Sequence, residues 1–144
     1  MQRFEDQNIE FKQEYVKDIR KEVVAFANSE GGTVLIGIRK DGEVSGVDVA
    51  DGGMMKEVNS LKDAIAPDIM PFVSVVSREM EGKHVIEINV SVGINRPYYI
   101  REKGLKPTGV YVRRGSSSQP VTDEGIRDNQ GIPVIKGTLR GEKT

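Results

Sequence analysis

The stretch from residue 23 to residue 46, VVAFANSEGGTVLIGIRKDGEVSG, most constrains how this chain can fold. An apolar helical face ends at Glu30-Gly31-Gly32, and the almost wholly apolar run 33–38 begins directly afterwards. Paired glycines at such a point indicate a left-handed turn at the C-terminus of a helix. The β-branched run is typical of a central strand covered on both faces. The sequence therefore predicts a helix that turns directly into a buried strand.

Apolar spacing predicts further elements around this stretch. The alternation in Ile9-Glu10-Phe11-Lys12 predicts a short strand, with Ile9 and Phe11 towards the core and the two charged side chains on the other face. Apolar residues at spacings of three and four predict an amphipathic helix over residues 13–28. Lys40-Asp41-Gly42 predicts a hairpin turn, from which the chain returns as a strand over residues 43–47.

The middle of the chain predicts a second helix and four more strands. Asp51 is placed to cap the helix, and Pro67 follows its last apolar residue. Alternating runs at 72–80 and 84–92 predict a second hairpin, and shorter strands are expected at 98–101 and 110–114. The order β-α-β-β-α-β-β-β-β predicts an α+β fold with a mixed, mainly antiparallel sheet and two principal helices.

The pattern weakens after residue 115. Residues 116–120 predict a loop and residues 122–126 a helix start, whereas 129–144 contain three glycines and no clear period. An edge strand over 132–139 is the one element that this last stretch suggests. We therefore expect one domain over residues 1–120, followed over 121–144 by a C-terminal tail or the start of a missing segment.

Composition argues against several kinds of site. The chain has no cysteine, which excludes disulfides and thiolate metal sites, and its single histidine, His84, argues against a metal or triad site built from histidines. No apolar run approaches the roughly 18 residues of a membrane span. We expect a soluble cytoplasmic protein with no cofactor, no bound metal and no membrane partner.

Positive charge is concentrated in one segment of a chain whose net charge is only −1. Residues 96–115 contain six basic side chains and one acid, Glu102, interleaved with Tyr98, Tyr99 and Tyr111. Guanidinium groups pair with phosphate and tyrosine rings stack on unpaired bases, so this composition suits a nucleic acid. The alternative is that the charges solvate strand exteriors and the tyrosines fill the core. The predicted nucleic-acid contacts are Lys12, Arg39, Lys40, Arg96, Arg101, Lys103, Arg113 and Arg114.

Several blocks of the sequence resemble the Schlafen AlbA_2 domain family. The matching residues are Glu5, Ile9-Glu10-Phe11-Lys12, 25–33, 35–38 with Asp41-Gly42, 96–99 and 111–116. The family is described as nucleic-acid-binding, and formerly as a divergent AAA domain. The resemblance implies an α+β core that belongs to a bacterial or archaeal transcriptional regulator or helicase-related protein. We accordingly predict a DNA- or RNA-binding domain of a transcriptional regulator, and a homo-oligomer remains an open alternative.

The same resemblance raises the alternative of a divalent-metal-dependent nuclease. Some eukaryotic relatives use three acids, of which two match Glu5 and Glu10 and the third is an aspartate just after the central strand. Hard oxygen ligands of this kind suit divalent cations. Here Arg39-Lys40 stands at the third position, and Asp41 is displaced into the turn. Glu5 and Glu10 are therefore the only catalytic candidates, in an incomplete set, and we expect Glu10 to be a surface residue paired with Lys12 or Arg39.

Two further hypotheses concern binding. The older description of the family suggests nucleotide binding, but the glycine loop here follows a helix and opens a strand, whereas phosphate loops place a helix N-terminus at the anion. No Gly-Lys-Ser/Thr run is present either. A protein-interaction module that pairs through a sheet edge is the remaining alternative.

Overall fold

A four-stranded sheet forms the centre of the computed structural model, which describes residues 3–50 and 52–128. The elements, in chain order, are β1 (Ile9–Lys12), α1 (Ile19–Ala27), β2 (Gly32–Ile36), α2 (Gly53–Ser60), β3 (Ile65–Ala66), β4 (Val73–Met80), β5 (Lys83–Val90), β6 (Tyr99–Ile100), β7 (Tyr111–Arg114), β8 (Ser117–Pro120) and α3 (Asp123–Asp128). The central sheet has the order β1-β2-β5-β4, with β1 parallel to β2 and the other neighbours antiparallel. The mixed, mainly antiparallel α+β architecture predicted from the sequence is confirmed.

The main core lies between the central sheet and α1. Apolar residues recur along α1 with helical spacing and pack against side chains of β2 and β5. The fully buried members include Ile19, Val23, Phe26, Ile36 and Ile86. A smaller cluster that contains Phe11 and Ile38 covers the other face of the sheet. The central strand β2 is therefore covered on both faces, as its composition predicts.

The glycine pair between α1 and β2 has two separate structural roles. Gly31 has a φ of +80°, and its N–H donates to the carbonyl of Phe26 at 2.8 Å, which ends the helix. Gly32 leaves room for the Phe26 ring, because a Cβ atom there would lie 2.5 Å from the ring. The predicted left-handed turn is confirmed, and it needs only the first glycine.

Helix α1 is shorter than the predicted range of 13–28. It begins at Ile19, after a turn in which the N–H of Ile19 donates to the carbonyl of Val16. Val16 is exposed rather than part of the buried stripe. The first six residues of the predicted range instead carry the chain from the end of β1 to the helix, and this connection is where the apolar spacing misled the prediction.

The turn at 40–42 is confirmed, but the regular return strand at 43–47 is not. A single bridge pairs Ile38 with Val44, and the N–H groups of Ser45 and Gly46 both donate to the carbonyl of Gly37. Positive φ angles at Gly37 and Gly46 bend the chain on either side of the bridge. These bends prevent a continuous ladder, and the predicted strand is correspondingly wrong.

The later strands also differ in detail from the prediction. The hairpin of β4 and β5 is confirmed, and its two-residue turn at Glu81-Gly82 has positive φ at both positions. Residues 116–120, predicted as a loop, contain β8, which pairs with β7 through the turn at Gly115. Serine-rich sequence has low strand propensity, so the partner strand determines this element. The predicted cap Asp51, the edge strand at 132–139 and most of the tail lie outside the described residues.

Candidate nucleic-acid interface

Four separate elements bring six charged side chains together on one side of the central sheet. We call this set the Glu10 network, and its members are Glu5, Glu10, Lys12, Glu22, Lys40 and Arg113. Strand β1 and the segment just before it supply three of these residues, while α1, β7 and the turn after β2 supply one each. Three carboxylates face three cations, so the network is balanced in charge.

Glu10 lies at the centre of the network and its side chain is only 5% exposed. Its Oε1 is 2.9 Å from Nη1 of Arg113, and its Oε2 is 2.9 Å from Nζ of Lys40 and 3.5 Å from Nζ of Lys12. Alternation along β1 places Glu10 and Lys12 on one face, as predicted. The expectation that Glu10 is a surface residue is wrong, because α1 and β7 cover that face of β1.

The pKa values of Glu10 and Lys40 reflect this arrangement. Burial acts to raise the pKa of Glu10, but hydrogen bonds from Lys40 and Arg113 outweigh it and hold the pKa below its ordinary value. Burial likewise acts to lower the pKa of Lys40, and the hydrogen bonds to Glu5 and Glu10 outweigh it and raise that pKa. Both groups are therefore charged at neutral pH, and each stabilises the other.

Arg113 is an internal residue of the network. Its side chain is 0% exposed, and Nη2 donates to the backbone carbonyls of Asp6 at 2.9 Å and Ile9 at 3.1 Å. The guanidinium carbon lies 4.7 Å from the centre of the Phe26 ring. The prediction that Arg113 contacts a nucleic acid has no support in this geometry, because α1, β1 and β8 enclose the side chain.

Two members of the surroundings were missed in the sequence. Glu22 accepts from Arg113 at 3.2 Å and is 3.1 Å from Lys12, and the hydroxyl of Ser118 on β8 donates to Glu22. A signal for Glu22 was available, since it lies three residues after Ile19 and four before Phe26, on the buried face of α1. Ser118 carried no such signal, because β8 itself was not predicted.

Buried polar side chains after α1 fix the position of β7. Asn28 donates from Nδ2 to the carbonyls of Tyr98 at 3.0 Å and Tyr111 at 2.9 Å, and its Oδ1 accepts from the N–H of Tyr98. The hydroxyl of Ser29 accepts from the N–H of Arg113 at 2.9 Å. Each of these bonds satisfies a backbone group. The segment after α1 therefore fixes the position of β7, and with it the position of Arg113 in the network.

The other predicted basic residues occupy more open positions. Arg101, Lys103, Lys106 and Arg114 are exposed, and Arg96 is partly exposed. Arg101 is tethered, because its guanidinium donates to the carbonyls of Asp63 and Ile65 at 3.1 and 3.2 Å. Arg39 is exposed beside Asp41, with Nε and Oδ1 3.8 Å apart. The structure thus separates the predicted set into the cations of the Glu10 network, of which Lys12 and Arg113 are enclosed and Lys40 is exposed, and the more open residues outside the network.

The interleaved tyrosines divide in a similar way. Tyr98 is fully buried, and its ring packs edge-on against Phe72. Tyr99 and Tyr111 are partly exposed. Tyr98 is therefore a core residue, whereas the other two rings have accessible surface.

The sequence matches the family model "Schlafen, AlbA_2" over residues 5–122. The chain belongs to the Schlafen AlbA_2 family. Among solved structures, it is similar to the DIP2311 protein from Corynebacterium diphtheriae, with 19% identity and a TM-score of 0.62 over 89% of this chain and 25% of that one. It is also similar to the N-terminal domain of an ATP-dependent DNA helicase RecG-related protein from Nitrosomonas europaea, with 19% identity and a TM-score of 0.51.

The second structure is matched over 92% of this chain and 86% of its own, whereas this chain spans only a quarter of DIP2311. At these identities the likeness concerns the fold. No protein of curated function matches the chain. Among the described residues of this AlbA_2 domain, no helix is long and apolar enough to span a membrane.

The AlbA_2 domain does not present a three-acid metal site in its described residues. Glu5 and Glu10 do approach each other, but Nζ of Lys40 lies 2.8 Å from one carboxylate and 2.9 Å from the other. The ammonium thus holds the position that a bridging divalent cation would take, and its charge repels such an ion. The donor set that the family resemblance suggests for a metal therefore does not fit the residues of this chain.

Proposed function

We propose that this AlbA_2 domain binds DNA or RNA through exposed basic residues, as part of a transcriptional regulator, and carries no catalytic activity of its own. One observation carries the proposal. Of the six basic residues between 96 and 115, four are exposed and one is partly exposed, and only Arg113 is buried. The positive charge of this segment therefore faces solvent, where phosphate groups can reach it.

The exposed cations are poorly neutralised by the protein itself. In the described part of the chain, no carboxylate lies within 4.0 Å of Lys103, Lys106 or Arg114. Charges left without internal partners attract a polyanion and exchange counterions with it. The proposed phosphate contacts are Arg39, Arg96, Arg101, Lys103, Lys106 and Arg114. Lys12, Lys40 and Arg113 are assigned instead to holding the Glu10 network.

The network supports a binding role over cleavage. A nuclease of the Schlafen type needs free carboxylates for its metal, and here Lys40 is bonded to both of the available ones. The similarity to the N-terminal domain of a helicase-related protein is compatible with a setting in which the domain positions nucleic acid for another part of a longer protein.

A salt titration tests the proposal directly. Fluorescence anisotropy with labelled single- and double-stranded oligonucleotides, repeated at several salt concentrations, gives Kd and its salt dependence. We expect binding that weakens steeply as salt increases, and we expect each of Lys103→Gln, Lys106→Gln and Arg114→Gln to reduce the slope of log K against log salt by about one.

Lys83→Gln is the matched control for these variants. Lys83 is exposed at the first position of β5, where its Nζ donates to the carbonyl of Val44 at 3.2 Å, and its neutralisation changes the net charge by the same amount. We expect Lys83→Gln to leave the slope close to that of the unaltered domain. Absence of binding to either oligonucleotide at low salt would overturn the proposal, and so would equal effects of all four substitutions.

A further inference from the structure

A carboxylate on the loop between β6 and β7 is bonded by a basic side chain of α1 that the sequence did not assign to any site. Nη1 of Arg20 lies 3.1 Å from Oε1 of Glu102. The arginine side chain is 12% exposed and the glutamate side chain is 60% exposed. Arg20 is therefore fixed beneath a carboxylate that solvent can reach.

Three cations lie in the turn that leads into α1 and in its first residues. Lys17, Arg20 and Lys21 follow at spacings of three and one, which places them together in a helical turn. Nε of Arg20 also donates to the carbonyl of Lys17 at 3.3 Å, which orients the guanidinium. Lys21 is 3.5 Å from Asp18 and lies over the Tyr111 ring at 5.6 Å from its centre. This arrangement connects α1 with β7 as well as with the loop.

The loop that carries Glu102 is fixed by its own backbone. The N–H groups of Lys103 and Gly104 both donate to the carbonyl of Ile100, and those of Gly109 and Val110 both donate to the carbonyl of Lys106. The geometry at Gly109 admits no Cβ atom, because that atom would lie 2.2 Å from the carbonyl oxygen of Gly104. Lys103 is thus presented beside Glu102 on a preorganised loop.

The hydrogen bond from Arg20 and the nearby charges of Lys17 and Lys103 hold the pKa of Glu102 below its ordinary value. An anion is thus favoured at this place although it is open to solvent. Three cations, Lys17, Arg20 and Lys103, act on this one carboxylate, whereas Lys21 is paired with Asp18. The site retains an excess of positive charge even with Glu102 in position.

We propose that Lys17, Arg20 and Lys103 form a phosphodiester-binding site in which Glu102 takes the place of a backbone phosphate until nucleic acid binds. We call this set the Glu102 site. The inference rests on the proposed function and names one place where the phosphate backbone is held. Arginine bonds carboxylate and phosphate oxygens in the same fork geometry, so Arg20 exchanges one anion for the other without a change of chemistry.

The exposure of Glu102 makes this exchange feasible. A carboxylate on the surface gives up an ion pair at small cost, because water solvates the released charge. While it remains in place, however, it competes with the incoming phosphate and adds like-charge repulsion. Glu102 therefore lowers the affinity of the domain for nucleic acid, which is the opposite of what a supporting structural residue does.

Glu102→Gln tests the inference. We expect this variant to bind a single-stranded oligonucleotide with a Kd about fivefold lower than the unaltered domain at low salt, because the competing charge is gone. Arg20→Gln is expected to raise Kd about fivefold and to reduce the salt slope by about one. Urea unfolding of each variant establishes that the fold is retained, and the opposite directions of the two effects separate competition from simple loss of structure.

Glu79→Gln is the matched control. Glu79 is exposed on β4, and its substitution makes the same change in net charge. If Glu102→Gln improves binding no more than Glu79→Gln, the inference is overturned while oligonucleotide binding by the unaltered domain still supports the proposed function. If the unaltered domain does not bind at all, both fail. Binding of tripolyphosphate, a small polyanion without bases or sugars, is measured in parallel. If Glu102→Gln increased the affinity for tripolyphosphate but not for the oligonucleotide, the Glu102 site would bind small anions and the phosphodiester assignment would be overturned.

Discussion

The Glu10 network and the Glu102 site are built from the same residue types but differ in enclosure and balance. In the network, three carboxylates and three cations meet between β1, α1 and β7, and the central arginine is inaccessible to solvent. At the Glu102 site, three cations, Lys17, Arg20 and Lys103, act on one carboxylate that is open to solvent. The comparison teaches that basic residues in this domain have two separate uses, which are cross-linking the fold and attracting an anion.

The physical basis of that difference is solvation. Burying a charge without a partner costs several kcal/mol of folding free energy. Each buried charge of the network therefore needs an opposite charge beside it. Leaving an exposed charge unpaired costs little free energy, because water solvates it. An excess of exposed positive charge attracts a polyanion. We therefore expect substitutions in the network to act on stability, and substitutions at the Glu102 site to act on binding.

Arg113→Ala should have the largest effect on stability. It removes the partner of Glu10 and Glu22 and leaves the carbonyls of Asp6 and Ile9 without their side-chain donor. Because a buried ion pair broken on one side costs about 3–5 kcal/mol, we expect a loss of that order in the free energy of unfolding. Equilibrium urea unfolding followed by circular dichroism measures it.

The adjacent arginine provides the control for that prediction. Arg114 is exposed on the same strand, and Arg114→Ala should change the free energy of unfolding by no more than about 0.5 kcal/mol. If the two variants lost a comparable free energy of unfolding, burial would not explain the difference expected between Arg113 and Arg114. The distinction between the two regions would then have to be abandoned.

A pH titration of stability should give the next largest effect. The pKa of Glu10 is lower in the folded protein than in the unfolded chain, so its contribution to stability is present above the ordinary glutamate range and is lost as the pH falls through the folded value. We expect the free energy of unfolding to decrease between about pH 5 and pH 3, and to decrease less steeply in Glu10→Gln.

Glu102→Gln is the informative comparison for this titration. The pKa of Glu102 is also held low, first by the hydrogen bond from Arg20, but this side chain is open to water. Its substitution should therefore leave the decrease in the free energy of unfolding at acid pH nearly as steep as in the unaltered domain. Equal flattening in both variants would contradict the view that burial makes Glu10 the stronger contributor.

Most of the architecture follows from local sequence. Alternation gave β1, β4 and β5, and the glycine pair gave the turn from α1 into β2. The strand β8 and the irregular chain after residue 42 could not be predicted, because their conformations depend on a neighbouring strand and on bends at Gly37 and Gly46. Local propensity contains no information about such partners.

The candidate site was less predictable than the fold. The sequence identifies two adjacent arginines, 113 and 114, but alternation alone does not show which one faces α1. The sequence also gave no indication that Arg20 pairs with Glu102, since the two residues are 82 positions apart. The charge of the segment 96–115 could be counted in advance, whereas the division into enclosed and exposed cations required the packing of α1 against β7.

Among the substitutions in the Glu10 network, Lys40→Ala should have the smallest effect on stability, because Lys40 joins the network from its exposed side. Its side chain is 66% exposed, and we expect a loss of at most about 1 kcal/mol in the free energy of unfolding. The substitution also removes the ammonium from between Glu5 and Glu10, leaving two carboxylates that accept a divalent cation. Calorimetric titration with Mn²⁺ should accordingly show tighter binding to Lys40→Ala than to the unaltered domain.

The double variant Lys40→Ala, Glu10→Gln distinguishes this site from other acids on the surface. If the cation occupies the place of the ammonium, removing the Glu10 charge should abolish the gain in Mn²⁺ affinity, because Glu5 alone is a poor ligand set. A gain that persists in the double variant would place the metal elsewhere. A large loss of stability in Lys40→Ala would instead show that the exposed edge of the network contributes as much to stability as its buried centre. Water would then not be replacing the contacts that Lys40 makes.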